Sequence, residues 1–162
     1  MWIIGVVDYQ GSRLVGLRRL VWPTSAAVIL MLDELFNLHG NPVRILTDNA
    51  PILRSNAFEA FLVERGVRHS YIRPGHAWTN GRIERLFRTF KETVFRYDWV
   101  FTSLRQLDRW CTDFVRFYNQ DRPHSSYGGP TPDEVATCAK EPSPATGRVC
   151  YFDGRMRWYA FG

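Results

Sequence analysis

At 162 residues the chain is the length of one domain and long enough to bury a core. Its 45% apolar and 23% charged residues exclude a disordered or low-complexity protein, and no apolar run reaches the roughly 18 residues of a membrane span. The net charge of +5 favours a polyanionic partner, because neutralising phosphates releases counterions.

Trp2 to Tyr9 is apolar and β-branched and predicts a buried strand. Nothing in the first eight residues has the basic region or cleavage site of a signal peptide. Gln10-Gly11-Ser12 is a turn, and Arg13 to Leu20 predicts a second strand in a hairpin with the first. Thr24 or Ser25 caps a helix on which Ala26, Ile29, Leu30, Leu32, Leu35 and Phe36 recur at helical spacing. Gly40 and Pro42 stop it. Val43 to Thr47 is a short strand without alternation, as expected of a sheet buried on both faces.

Asn56 to Arg65 predicts a helix with Phe58, Phe61 and Leu62 inward, ended by Gly66 and followed by a strand from Val67 to Tyr71. After a loop from Arg73 to Trp78 come two long helices. One runs from about Thr79 to Arg96, the other from Ser103 to about Tyr118 with Leu104, Leu107, Trp110, Phe114 and Phe117 on one stripe. Pro132 starts a short helix at its first turn, and the C-terminus reads as a hairpin around Asp153-Gly154. The order is that of a mixed α/β domain. Residues 1–135 form the main domain, 136–147 a linker, and 148–162 a β-hairpin extension.

The three cysteines, Cys111, Cys138 and Cys150, cannot all pair, and none has zinc-site spacing. They read as reduced thiols in a cytoplasmic protein. Aromatic residues, at 15%, suit either a Trp-rich core or an interface.

Two acidic residues stand out. Asp48 closes the apolar run Val43-Arg44-Ile45-Leu46-Thr47, so its carboxylate emerges at a strand's C-terminal end, where open α/β sheets place their sites. Asp-Asn at a strand end is also a common turn or helix cap. Glu84 lies in the first turns of a basic helix and shares one face with Arg88 and Lys91. That pattern suits a cation site beside a nucleic-acid backbone. It equally suits a surface Glu84–Arg88 pair worth ~0.3–0.5 kcal/mol. Together the two acids suit metal-assisted phosphoryl transfer, in which carboxylates hold hard cations such as Mg²⁺ through oxygen.

The flanking motifs are more specific. Thr47-Asp48-Asn49, Asn80-Gly81-Arg82-Ile83-Glu84-Arg85 with Phe87-Arg88-Thr89-Phe90-Lys91, Tyr118-Asn119-Gln120-Asp121-Arg122-Pro123-His124, and Thr131-Pro132 follow one another in the chain. In that order they resemble the integrase catalytic core of retroviral integrases and bacterial insertion-sequence transposases, from about residue 2 to 135. The 35 residues between Asp48 and Glu84 match the family's spacing.

The resemblance implies a ribonuclease H-like mixed sheet flanked by helices. It implies DNA strand cleavage and transfer with Mg²⁺ or Mn²⁺, of two-metal type if the acid triad is complete. DNA and further copies of the chain are the implied partners. Asp48 would be the second acid of the triad and Glu84 the third. Arg88 and Lys91 match positions that face the DNA end, and Arg82 and Arg85 join them on the basic helix. Trp78 suits base stacking or packing.

Two departures stand beside these matches. Ala50 replaces the family's glycine after Asp-Asn, which would alter a loop that needs a positive φ. The family's first acid lies on a strand before the segment that Val6 to Gly16 resembles. The resemblance therefore places that strand and ligand before Met1 and makes the chain an N-terminally truncated core. Asp8 is either a turn residue pairing with Arg13 or the first acid itself. The alternative function is a catalytically impaired core that keeps DNA binding or subunit association. His76 and His124 read as hydrogen-bonded loop histidines, with Arg122-Pro123-His124 tying its loop to the core.

Overall fold

The computed structural model describes residues 2–8, 13–72, 81–95, 103–125, 128–137, 147–152 and 155–160. The chain divides into two compact units, Met1–Ile4 with Arg19–Glu84, and Gly5–Arg18 with Arg85–Gly162. Strands β1 (Trp2–Val7) and β2 (Leu14–Leu20) are hydrogen-bonded neighbours, as expected. The Asp8 N–H donates to the Arg13 carbonyl at 2.8 Å beside their connection.

In the first unit, α1 (Ser25–His39) is capped by Thr24, whose Oγ1 accepts from the Ala27 N–H at 3.2 Å. Ser25 is not the cap: its hydroxyl donates to the Ile52 carbonyl at 2.7 Å. Gly40 ends the helix at φ +86, a backbone few other residues adopt. The buried face is Val28, Met31, Leu32 and Phe36, while Ala26 and Leu30 are exposed. The inward stripe is thus rotated from the expected one. An almost continuously apolar run, Ala26 to Leu32, offers two helical stripes, and packing selects between them. Here Phe36 stacks on Phe61 of α2 (Asn56–Glu64) with centroids 5.7 Å apart. Ser55 caps α2 by accepting from the Phe58 N–H at 3.2 Å, and Phe58, Phe61 and Leu62 point inward as expected.

β3 (Arg44–Thr47) and β4 (Arg68–Tyr71) pair in parallel, with Thr47 opposite Tyr71, and α2 forms the crossover between them. β3 was expected to be buried on both faces. Instead its burial alternates, with Arg44 and Leu46 exposed and Ile45 and Thr47 half-buried. Among the described residues it pairs only with β4, so it behaves as a strand with one open face. A 3₁₀ turn, Pro51–Leu53, separates β3 from α2.

α3 (Gly81–Val94), whose first four residues belong to the first unit and the rest to the second, buries Leu86, Phe90 and Val94 and half-buries Ile83 and Phe87. α4 (Leu104–Arg116) is capped by Ser103 and buries Leu107, Trp110, Cys111 and Phe114. Phe90 and Phe114 meet edge to face at 5.0 Å, and Phe95 meets Trp110 the same way at 6.4 Å. Leu104 is half exposed and leaves the predicted stripe.

The expected run of α4 to Tyr118 is cut short, because Phe117–Asp121 widens into a π-helical turn. α5 (Pro132–Thr137) begins with a reciprocal cap. Thr131 Oγ1 accepts from the Glu134 N–H at 3.2 Å, and Glu134 Oε2 accepts from the Thr131 N–H at 2.8 Å. β5 (Gly147–Phe152) and β6 (Arg155–Ala160) form the expected antiparallel hairpin. Its Asp153-Gly154 turn lies outside the described residues. Among the described residues the strands form three two-stranded sheets, parallel in β3–β4 and antiparallel in β5–β6, flanked by helices as expected of a mixed α/β domain.

Candidate active site

Asp48 stands at the C-terminal end of β3, exposed to solvent. The backbone around it is pinned from several sides. The Ile72 N–H donates to the Thr47 carbonyl at 2.8 Å. Asn49 Nδ2 donates back to the Ile72 carbonyl at 2.9 Å, tying the turn to the end of β4. Asp48 Oδ1 accepts from the Ala50 N–H at 3.0 Å. One carboxylate oxygen therefore serves the turn, and the residue has both the turn geometry and the exposed strand-end position that its sequence allowed. Ala50 sits at φ −57, ψ 135, an ordinary conformation for an L-residue, so this turn needs no glycine.

Glu84 lies in the first turn of α3 and is exposed, with Arg85, Arg88 and Lys91 exposed along the same helix. The helix therefore presents cations opposite its apolar stripe. Asp48 and Glu84 both fall in the first unit and Asp8 in the second. Asp8 is exposed at the end of β1. The Arg13 guanidinium lies 2.9 Å from Asp133 Oδ1, close enough for an ion pair but out of line for a hydrogen bond. Trp78, His76 and the side chain of Arg82 lie outside the described residues. Among the described residues, no group of three or more His, Cys, Asp or Glu side chains is arranged to hold a metal ion.

The structure also shows a polar chain behind Asp48 that the sequence reading missed. His69 on β4 places Nε2 at 2.8 Å from Thr47 Oγ1 and Nδ1 at 2.7 Å from Glu59 Oε1 on α2. The Tyr71 hydroxyl donates to the same Glu59 oxygen, and Arg54 sits over the Tyr71 ring at 5.4 Å. The Tyr71 hydroxyl first, then His69, holds the Glu59 carboxyl below its usual range, while Glu59 pushes the Tyr71 phenol up. A histidine and a tyrosine alternating along Arg68-His69-Ser70-Tyr71 share one strand face, and that was the available signal.

His124 behaves as its loop position suggested. It is buried, its Nε2 is 3.3 Å from both the Tyr118 carbonyl and Arg122 Nη1, and its ring meets Tyr118 edge to face at 4.6 Å. A single tautomer satisfies only one of the two Nε2 contacts: the protonated nitrogen donates to the carbonyl, and the bare one accepts from the guanidinium. Burial, reinforced by the Arg122 and Arg85 charges, lowers its pKa to about 4.

Comparison with known proteins falls on the segments that carry these residues. Residues 65–132 match the Integrase core domain family, and residues 22–98 match the TnsB C-terminal domain. The chain is 37% identical over 113 residues to the insertion element IS476 uncharacterized 39.2 kDa protein of Xanthomonas euvesicatoria. That alignment takes in 70% of this chain but only 32% of the relative, so the chain spans about a third of that relative's length.

The solved structures that share its fold include two integrase cores. One is the catalytic core domain of BIV integrase, with a TM-score of 0.67 and 19% identity over 82% of this chain and 83% of that one. The other is the HTLV-2 integrase catalytic core domain in complex with magnesium, with a TM-score of 0.64 and 22% identity over 80% of each chain. These likenesses establish a ribonuclease H-like α/β fold. The Glu84 motif lies inside both matched segments and the Asp48 motif inside the second, and together these likenesses support an integrase/transposase core.

Proposed function

We propose that this core performs metal-dependent DNA cleavage and strand transfer, with Asp48 and Glu84 as the carboxylates that hold the divalent cation. The observation that carries this reading is the exposed Asp48 at the C-terminal end of a parallel strand, within a chain whose α3 presents Glu84 in an integrase-core segment. The donors fit a hard cation: both are carboxylates, both are exposed, and neither motif contains His or Cys. Mg²⁺ or Mn²⁺ would activate the attacking oxygen and stabilise the leaving one. Arg82, Arg85, Arg88 and Lys91 would receive the DNA backbone and Trp78 a base. A homodimer or higher oligomer is the proposed assembly.

The test uses purified protein, a labelled DNA end and Mn²⁺. Cleavage or joining products should form, and Asp48→Asn or Glu84→Gln should each lower their rate by about a thousandfold, the equivalent of several kcal/mol of transition-state stabilisation. Products indifferent to both substitutions would sink the assignment. Asp8→Ala in the same assay decides its role: an unchanged rate leaves Asp8 to the β1–β2 connection, and a comparable loss makes it the first acid. DNA binding without products would favour the impaired core.

A further inference from the structure

Asp48 is exposed, so burial does not fix where its carboxylate points. Beside the ties of its neighbours to β4, the peptide that carries it is held by the side chain before it. The Thr47 hydroxyl donates to the Asp48 carbonyl at 2.9 Å, and its oxygen faces His69 Nε2 at 2.8 Å. The His69 side chain is only 6% exposed. Its ring is wedged edge to face against Phe58 at 5.3 Å and tilted on Tyr71 at 4.3 Å. Nδ1 is anchored by Glu59, which α2 supplies and the Tyr71 hydroxyl also holds. Both flanks of the imidazole are packed, and with the Thr47 hydrogen given to the Asp48 carbonyl and Glu59 accepting, the chain of bonds is complete when both ring nitrogens carry a hydrogen. An apolar side chain of similar size would fill this place without the cost of burying a polar ring. The polar atoms acquire a purpose if the end of the chain, the Asp48 peptide, must be held.

We propose that Glu59, His69 and Thr47 form a positioning relay that sets the orientation of the Asp48 peptide and hence of its carboxylate. None of the three touches substrate or metal. They act through Asp48, and the consequence for metal binding rests on the reading of Asp48 as a ligand. A ligand carboxylate must be held within roughly 0.5 Å of its productive position. Partners behind a ligand are typically worth ~10–100-fold in metal affinity. The Ala50 N–H bond to Asp48 Oδ1 is a second, metal-independent reporter of the same orientation.

Thr47→Val removes the hydroxyl while keeping the branched shape, and Thr47→Ser restores the hydroxyl. His69→Phe keeps a packed ring without nitrogens. Two quantities are measured on the full chain, with circular dichroism confirming the fold: hydrogen exchange of the Ala50 amide, and Mn²⁺ binding by electron paramagnetic resonance with Asp48→Asn as the control.

Thr47→Val and His69→Phe should each speed Ala50 exchange and weaken the Asp48-dependent Mn²⁺ affinity about tenfold. Thr47→Ser should match the parent. The Thr47→Val/His69→Phe double variant should be no worse than either single one, because both break one chain. If His69→Phe fails to fold, His69→Gln takes its place. Parental exchange and affinity in Thr47→Val, or a Ser variant as impaired as the Val one, would overturn the relay. Absence of Asp48-dependent Mn²⁺ binding in the parent would instead overturn the metal reading, and the Ala50 exchange would then judge the relay alone.

Discussion

His124 shows how much one residue's meaning depends on what surrounds it. In sequence it is a loop histidine between Pro123 and Ser125, and its type alone suits catalysis, metal binding or packing. The structure buries it between the π-turn and the loop that leads to α5, with Arg122 beside it. Its pKa, lowered to about 4, means that the unfolded chain binds this proton more readily than the folded one. The stabilisation is therefore complete above about pH 6.5 and drains away as the pH falls towards 4. The loss is about 3 kcal/mol by pH 4 from this group. Urea unfolding of the parent and His124→Asn across pH 7 to 4 should show a shallower acid loss in the variant. Equal slopes would mean that His124 does not carry it. The strand-end position of Asp48 was legible because a carboxylate ending an apolar run is a local pattern. His69 was not, because its meaning comes from Glu59, ten residues back in the chain.

Helix starts were readable from sequence wherever the cap is a local exchange of hydrogen bonds. Thr24 and the Thr131–Glu134 pair lie within three residues of the groups they satisfy. What local sequence could not show were features settled by distant partners: the rotated face of α1, the open face of β3, and the π-turn that ends α4. The π-turn has a visible consequence. Asn119, buried within it, accepts from the Leu14 N–H at 2.9 Å and donates to the Leu14 carbonyl at 2.8 Å. The side-chain amide stands in for a neighbouring strand's peptide and satisfies both backbone groups at the start of β2. The pair lies 105 residues apart, beyond any periodicity argument. Asn119→Leu keeps the approximate volume but strands two buried backbone groups, at roughly 1–3 kcal/mol each. Thermal or urea unfolding should register a loss of about 2–5 kcal/mol. A loss under ~1 kcal/mol would mean that water replaces the amide.

For the molecule as a whole, the net charge of +5 said only that a polyanion was a plausible partner. The placement of the cations is more telling. Arg85, Arg88 and Lys91 are all exposed on α3, whose opposite stripe of Leu86, Phe90 and Val94 is buried. The buried stripe anchors the helix, so these three charges are carried on a fixed element rather than scattered over loops. If they meet DNA phosphates, each contact releases counterions and adds about 0.9 to the slope of log affinity against log salt concentration. Substituting them singly by Gln should weaken binding to unrelated duplexes alike and flatten that slope by roughly one each, leaving the fold intact because all three are solvent-exposed. Substituting the equally exposed Arg44 and Arg68, at the far end of the β3–β4 pair from Asp48, should leave the slope where it was. Fluorescence anisotropy with a labelled duplex between 50 and 200 mM salt measures both sets. A slope that falls equally for the two sets would show that binding reads net charge alone, and α3 would lose its claim to be the DNA-facing element.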